Sequence, residues 1–213
     1  MTPDPGARPP SARSVRTRRA VLDATAALLA EGGLGAATID AIRDRSGVSK
    51  TTVYKHWPNR LCVAVDAFAD RLALDAALPD TGTARGDLVE QIRRVARFYA
   101  SPIGRVFAQL LAAAAQDPDA AGWLRDRLLN SRRDGAQQLW GRAVARGEAR
   151  DLDPDIALDV AFGPVMWRLL RGQKPFTEAE AGQVADAVLD GLLAATPRER
   201  PLPVSRGTAS GDG

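Results

Sequence analysis

Apolar residues recur along most of this chain at helical spacing, with little of the strict alternation of a strand. Val21, Leu22, Thr25, Leu28 and Leu29 fall at i, i+1, i+4, i+7 and i+8, which marks a helix with one buried stripe. This predicts a first helix over about Val15 to Glu31, ended by Gly32-Gly33. Thr38 precedes a short second helix that carries Ile39 and Ile42 inward and stops at Gly47. Ser49 precedes a third, which stops at Trp57-Pro58 because a residue before proline disfavours helical backbone. Asn59 caps a fourth with the stripe Leu61, Val65, Phe68 and Leu72, closed by Pro79. A fifth, about Ala84 to Ala100, sets Leu88, Ile92, Val95 and Tyr99 on one face.

Later starts are marked more sharply. Ser101-Pro102, Asp117-Pro118 and Asp153-Pro154 each place a capping side chain directly before a proline, whose fixed φ suits the first helical position. They open a sixth helix with Ile103, Val106, Phe107, Leu110, Leu111 and Ala114 on its stripe, a long seventh running to about Gly147, and an eighth. Thr177 with Glu180 makes a capping box for a ninth. The last two helices are apolar on more than one side. Ile156, Val160, Gly163, Trp167 and Leu170 form one stripe of the eighth, and Leu158, Phe162, Val165 and Leu169 another. In the ninth, Val184, Val188 and Leu192 stand beside Leu189 and Leu193. Such helices must be covered on more than one side. A four-helix interface across a two-fold axis satisfies that, and so does an internal helix pair in a monomer. Gly163-Pro164 predicts a kink in the eighth helix.

Composition agrees with an all-α fold: of 213 residues, 45% are hydrophobic and only 5% aromatic, with alanine and leucine frequent. No uninterrupted apolar run is long enough for a membrane span, and MTPDPGARPPSAR lacks the apolar stretch of a secretory signal. The single cysteine, Cys62, allows no intramolecular disulfide and fits a reducing cytoplasm, the expected location; beside Leu61 it reads as a small buried hydrophobe. One cysteine and one histidine, His56, leave no soft-ligand cluster, so neither a metal nor a cofactor is expected. The same poverty of nucleophile–base pairs, with no phosphate loop after a strand, disfavours an enzyme. Residues 1–12 and 197–213 are rich in Pro, Gly, Ser and charge and are expected to be disordered tails.

Charge is unevenly spread. Residues 1–60 hold ten Lys/Arg against five Asp/Glu, whereas the remainder holds nineteen against twenty-one. A basic amino-terminal quarter suits a polyanion. Within it lies TIDAIRDRSGVSKTTVYKHWPNR. Gly47 sits where the turn between two helices needs a left-handed residue, and Val48 follows as the turn's buried residue. In the third helix Val53 and Trp57 are four apart and pack inward, which turns Thr51 and Lys55 outward, flanked by Lys50, Thr52, Tyr54 and His56. Lysine can donate to guanine O6/N7 and threonine can meet a thymine methyl, while tyrosine and histidine can hold phosphates. N–H groups at the helix starts near Thr38 and Asn59-Arg60 would clamp the backbone on either side. Arg13, Arg16, Arg18 and Arg19 form either a solvated helix start or a DNA-touching arm.

At these residues the chain resembles the tetracycline-repressor (TetR) family of bacterial regulators. The resemblance is carried by Thr38, Ile42-Arg43, Ser46-Gly47-Val48-Ser49, Lys50-Thr51-Thr52, Val53-Tyr54, Lys55-His56-Trp57 and Pro58-Asn59-Arg60. It is specific over residues 15–65 and weaker beyond. It implies base contacts from Lys50, Thr51 and Lys55, and backbone contacts from Thr38, Thr52, Tyr54, His56 and Arg60. It also implies dimerisation through the last two helices, about 154–195, and an effector pocket among helices four to seven. The aromatic and thioether side chains Phe98, Phe107, Trp123, Trp140, Met166 and Trp167 are the candidates to line that pocket, although at helical spacing such residues more often belong to an ordinary core. One departure is Arg43, where the family has a small alanine. Either this arginine bends out to a phosphate or helices two and three cross at a wider distance.

The expected organisation is a helix-turn-helix unit over 13–60, a connecting helix over 61–81, and a ligand-binding and dimerisation unit over 82–196. The expected function is sequence-specific binding of double-stranded DNA at a palindromic operator by a homodimeric repressor that a small-molecule effector releases. A nonspecific architectural DNA binder and an activator of the same fold are the alternatives.

Overall fold

The computed structural model describes residues 11–72, 77–150 and 152–192, and all regular structure in them is helical apart from an isolated bridge at Ala149. The elements are α1 (Ala12–Ala36), α2 (Ile39–Ser46), α3 (Lys50–His56), α4 (Arg60–Arg71), α5 (Ala84–Ala100), α6 (Pro102–Ala114), α7 (Pro118–Leu124), a π turn (Arg125–Leu129), α8 (Asn130–Ala145), α9 (Pro154–Leu170) and α10 (Glu178–Leu192). α7, the π turn and α8 follow without a break and form the single long seventh helix of the sequence pattern, so the described residues hold nine helical rods. The expected tails lie almost wholly outside the described residues. Ser11 and Ala12 do not: Ser11 caps α1, its Oγ accepting from the Ser14 N–H at 3.2 Å, and the helix begins three residues earlier than the stripe indicates.

Local chemistry sets the ends. At the far end of α1 the backbone leaves helical geometry at Gly32 and Gly33, the latter at φ +65°, and one further turn follows to Ala36. All three cap–proline starts are real. Ser101 Oγ accepts from Gly104 at 3.1 Å, Asp117 Oδ1 from Ala120 at 2.9 Å, and Asp153 Oδ1 from Asp155 at 2.8 Å. The capping box is closed in both directions, with the Thr177 N–H on Glu180 Oε2 at 2.8 Å and the Glu180 N–H on Thr177 Oγ1 at 3.2 Å. The kink expected at Pro164 does not interrupt the helix: α9 runs unbroken through it to Leu170.

α1 lies against α4, α2 and α6, and α4 continues into contact with α7 and the π turn. One core therefore runs from the amino-terminal helices into the larger part of the chain. It contains Val21, Ile42, Val53, Trp57, Phe68, Phe107 and Leu128. A smaller cluster of Leu88, Trp140, Ala157, Ala161 and Leu189 joins α5, α8, α9 and α10. Cys62 is fully buried as expected, and burial pushes its thiol up to about 11, where it is chemically quiet.

Candidate nucleic-acid interface

α3 is held at two points. Val53 and Trp57 are buried, which fixes the rotation of a helix only seven residues long. Ser49 caps it, accepting from the Thr52 N–H at 3.3 Å while meeting the Thr52 hydroxyl at 2.9 Å. Gly47 makes the turn before it at φ 70°, ψ 9°, and returns its N–H to the Arg43 carbonyl at 2.9 Å. Nothing lies within 4 Å of a Cβ built on Gly47, so the need there is for the left-handed backbone and not for space. Gly47→Ala is therefore expected to lose about 1 kcal/mol to backbone strain alone, read as a lower urea midpoint with an unchanged slope. An unchanged midpoint would show that the turn does not demand glycine.

With Val53 and Trp57 buried, helical spacing puts Thr51 and Lys55 opposite the packed side, and both are exposed. Lys50 and Tyr54 are exposed beside them, and Thr52 and His56 are half-buried. Tyr54 belongs to the surface and not to the core. His56 meets the edge of Trp57, ring centroids 5.5 Å apart. Thr38 caps α2, its Oγ1 accepting from Ala41 at 3.2 Å, and Asn59 caps α4, its Oδ1 accepting from Cys62 at 3.0 Å. Arg60 is exposed and reaches the Leu34 carbonyl at 3.3 Å.

Lys50 does not project unpartnered. Its Nζ lies 2.7 Å from Asp40 Oδ1, and that contact, with the nearby Arg43, holds the Asp40 carboxyl below the usual carboxylate range. Arg43 is also at the surface, 3.0 Å from Asp40 and 2.6 Å from Asp44. Arg43 is thus exposed and turned onto the carboxylates of its own helix. In the amino-terminal arm, Arg19 pairs with Asp23 and Asp70, and Arg18 turns inward.

The inward turn of Arg18 leads to a centre that sequence reasoning missed. Asp66 of α4 is almost fully buried. Its Oδ2 accepts from Trp57 Nε1 at 2.8 Å and from Arg18, whose guanidinium lies 5.0 Å above the Trp57 ring. Its Oδ1 is 3.6 Å from Arg127 in the π turn. One carboxylate therefore joins α1, the end of α3, α4 and the long rod. The available signal was a lone aspartate inside the otherwise apolar run LCVAVDAFA.

The six pocket candidates are not brought together. Phe98, Phe107, Trp123 and Met166 share the main core, Phe107 stacking on Phe68 and Tyr99 and meeting Phe98 edge-on. Trp140 is buried in the smaller cluster instead. Trp167 stands outside both, 62% exposed on α9.

A short capped helix held by an αL turn, anchored by two buried side chains and carrying a polar, basic ridge, defines a helix-turn-helix DNA-binding protein. Residues 21–61 match the model of bacterial regulatory proteins of the tetR family, and residues 78–188 match a tetracyclin repressor-like C-terminal domain. A Bacillus subtilis protein described as an uncharacterized HTH-type transcriptional regulator, YdeS, is 36% identical over 74% of this chain and 80% of its own length. A DNA-binding transcriptional repressor TetR of Mycobacteroides abscessus is 29% identical over 81% and 92% of the two chains. The crystal structure of the TetR family transcription regulator SCO0332 superposes with a TM-score of 0.67 at 34% identity, covering 83% of this chain and 98% of that one. The chain belongs to the TetR family of transcriptional regulators. It is a DNA-binding regulator and not an enzyme, and among its described residues no helix is long and apolar enough to cross a membrane.

Proposed function

We propose that this protein is a homodimeric repressor that reads a palindromic operator through α3 and is released by a small-molecule effector bound in its larger half. The observation that carries the reading is the exposed pair Thr51 and Lys55, with Lys50 and Tyr54 exposed beside them, on a helix anchored in the core through Val53 and Trp57. In this reading Lys50, Thr51 and Lys55 contact bases, and Thr38, Thr52, Tyr54, His56 and Arg60 contact the backbone. Lys50 exchanges Asp40 for DNA as it docks. Residues 13–60 form the reading unit, 61–81 the connection, and 82–196 the regulatory unit.

Dimerisation is supported by α9. Ile156, Val160, Trp167 and Leu170 are 58%, 44%, 62% and 48% exposed, and they are four members of the stripe that needed a cover, while Leu158 and Val165 face inward. An internal helix pair would bury both sides. A second copy of the same face supplies the cover, and two copies of α3 then meet half-sites about 34–36 Å apart. In this reading Phe98, Phe107, Trp123 and Met166 belong to the effector site, supported by their common packing in the main core, whereas Trp140 packs in the smaller cluster and Trp167 is exposed. Repression is favoured over activation by the relative from Mycobacteroides abscessus, which is described as a repressor.

The test is a gel shift on the DNA flanking the gene, with random DNA as competitor. Lys55→Ala should weaken the specific complex by about 1–3 kcal/mol, roughly 5- to 150-fold, and leave the weak complex with random DNA nearly unchanged. Affinity that follows salt but not sequence would instead identify an architectural binder.

A further inference from the structure

The regulatory half holds a half-buried positive charge with no carboxylate beside it among the described residues. Arg132 of α8 is half-buried, with its guanidinium carbon 4.8 Å from the centre of the Phe98 ring and 5.6 Å from that of Phe107. Its Nε is fully enclosed and has no hydrogen-bond acceptor. Among the described residues no carboxylate comes within 4.0 Å of it. Its neighbours on the same rod differ: Arg127 reaches Asp66, and Arg133 reaches Asp155 at 2.6 Å. Burial lowers the pKa of Arg132 from the ordinary arginine value, as expected of a cation stripped of water and given no anion. Arginine does not shed its proton in a protein, so the charge stays. Ring faces attract it but do not neutralise it.

Three further enclosed donors without an acceptor lie on the same rod, Trp140 Nε1 and Arg142 Nε further along α8 and Trp123 Nε1 beyond the π turn. π turns inside long helices recur at functional sites, and here Arg125–Leu129 stands between the Trp123 and Arg132 N–H groups, which no protein oxygen satisfies. The surroundings are aromatic: Phe98 and Phe107, the phenol of Tyr99, whose charge state is linked to that of Arg132, and Phe68 stacked on Phe107 at 5.9 Å. Phe68 also borders a mostly apolar groove of about 440 Å³ between α1, α4 and α6, lined by Ala26, Leu29, Ala67, Ile103, Val106 and the cation Arg71; Arg132, Phe98 and Phe107 are not part of that lining. That volume is in the range of small-molecule sites.

We infer that the effector is an apolar monocarboxylate, with its carboxylate on the Arg132 guanidinium and its hydrocarbon or aromatic body among Phe98, Phe107 and Phe68. The inference rests on the effector reading above and names the chemistry of that site. Planar two-pronged donation by arginine matches a carboxylate, and a neutral apolar molecule would leave the half-buried charge unpaired.

The experiment uses the full chain with decanoate and 1-naphthoate as probes, against the neutral decanol and 1-naphthalenemethanol. Binding is read by tryptophan fluorescence and by thermal shift. The acids are expected to bind at least tenfold more tightly than the alcohols. Arg132→Met should remove that preference, and Arg132→Lys should restore only part of it. The ligand-free Arg132→Met protein should melt at or above the wild-type temperature, because an unpaired half-buried charge has been exchanged for an apolar side chain. Equal binding of acids and alcohols, acid binding unaltered by Arg132→Met, no binding of either acid at millimolar concentration, or a ligand-free variant that melts far below wild type would each overturn the assignment. Release of operator DNA is measured in parallel. A neutral molecule that releases DNA independently of Arg132 would remove the carboxylate and leave the effector reading intact, whereas failure to bind operator at all would remove that reading itself.

Discussion

Asp66→Ala is expected to lower stability by about 3 kcal/mol, which in a chain of this size moves the melting temperature down by roughly 6–12 °C. The substitution removes the acceptor of the buried Trp57 indole N–H and the counter-charge of both Arg18 and Arg127. The lower end of the range for a broken buried pair applies because both arginines retain water: their side chains are 34% and 49% exposed. The indole cannot escape so easily, since Trp57 is buried and its N–H is left with nothing to donate to. Asp66→Asn keeps an oxygen for that N–H but discards the charge, and should lose roughly half as much. Calorimetry on the three proteins checks the order. A Tm for Asp66→Ala within a degree or two of wild type would mean that the centre is decoration on a core held by Val53, Phe68 and their neighbours.

The second large effect concerns assembly. Val160→Asp combined with Trp167→Asp should halve the mass in solution, keep the helical circular dichroism, and weaken operator binding on the order of 100-fold or more. Both positions are exposed in one copy, so charge there does not disturb the fold of a single chain. In a two-fold interface each residue appears twice, and four carboxylates would be brought together in an apolar setting. The loss on DNA follows because a monomer engages one half-site without the second contact that the partner supplies at high effective concentration. Light scattering with a gel shift on one preparation gives both readings. An unaltered mass would place the dimer elsewhere on the molecule; a halved mass with undiminished operator affinity would separate assembly from DNA reading.

Helix starts were the most legible part of this chain, because a cap is local. Ser101, Asp117, Asp153 and Thr177 each act within three residues of themselves, and their roles stand in the sequence as plainly as in the structure. The reading ridge was nearly as legible, since two buried positions four apart fix which side of a short helix faces out. What spacing cannot convey is which of two apolar stripes meets the core. Trp167 was grouped with Phe98 and Phe107 as an aromatic, yet it lies on the stripe that points away from them. Trp140 was grouped likewise, and packs with Leu88 and Leu189. The Asp66 centre draws on residues 18, 57 and 127, a range of separation over which periodicity carries no information. Arg132 is hidden for a related reason: a solvated arginine and one laid over two rings look the same in a list of residues.

Asn59 and Asp117 are the two helix caps whose side chains also touch each other. Asn59 Oδ1 holds the first turn of α4 while its Nδ2 donates to Asp117 Oδ2 at 2.9 Å, and Asp117 Oδ1 holds the first turn of α7. The two helix starts are pinned to a common point, one residue from Arg60 and two from Trp57 at the end of α3. A displacement of the first turn of α7 must therefore either drag the start of α4 along or break the Asn59–Asp117 hydrogen bond, which leaves both caps in place. In the homodimer proposed above, a movement passed across this joint would change the distance between the two copies of α3.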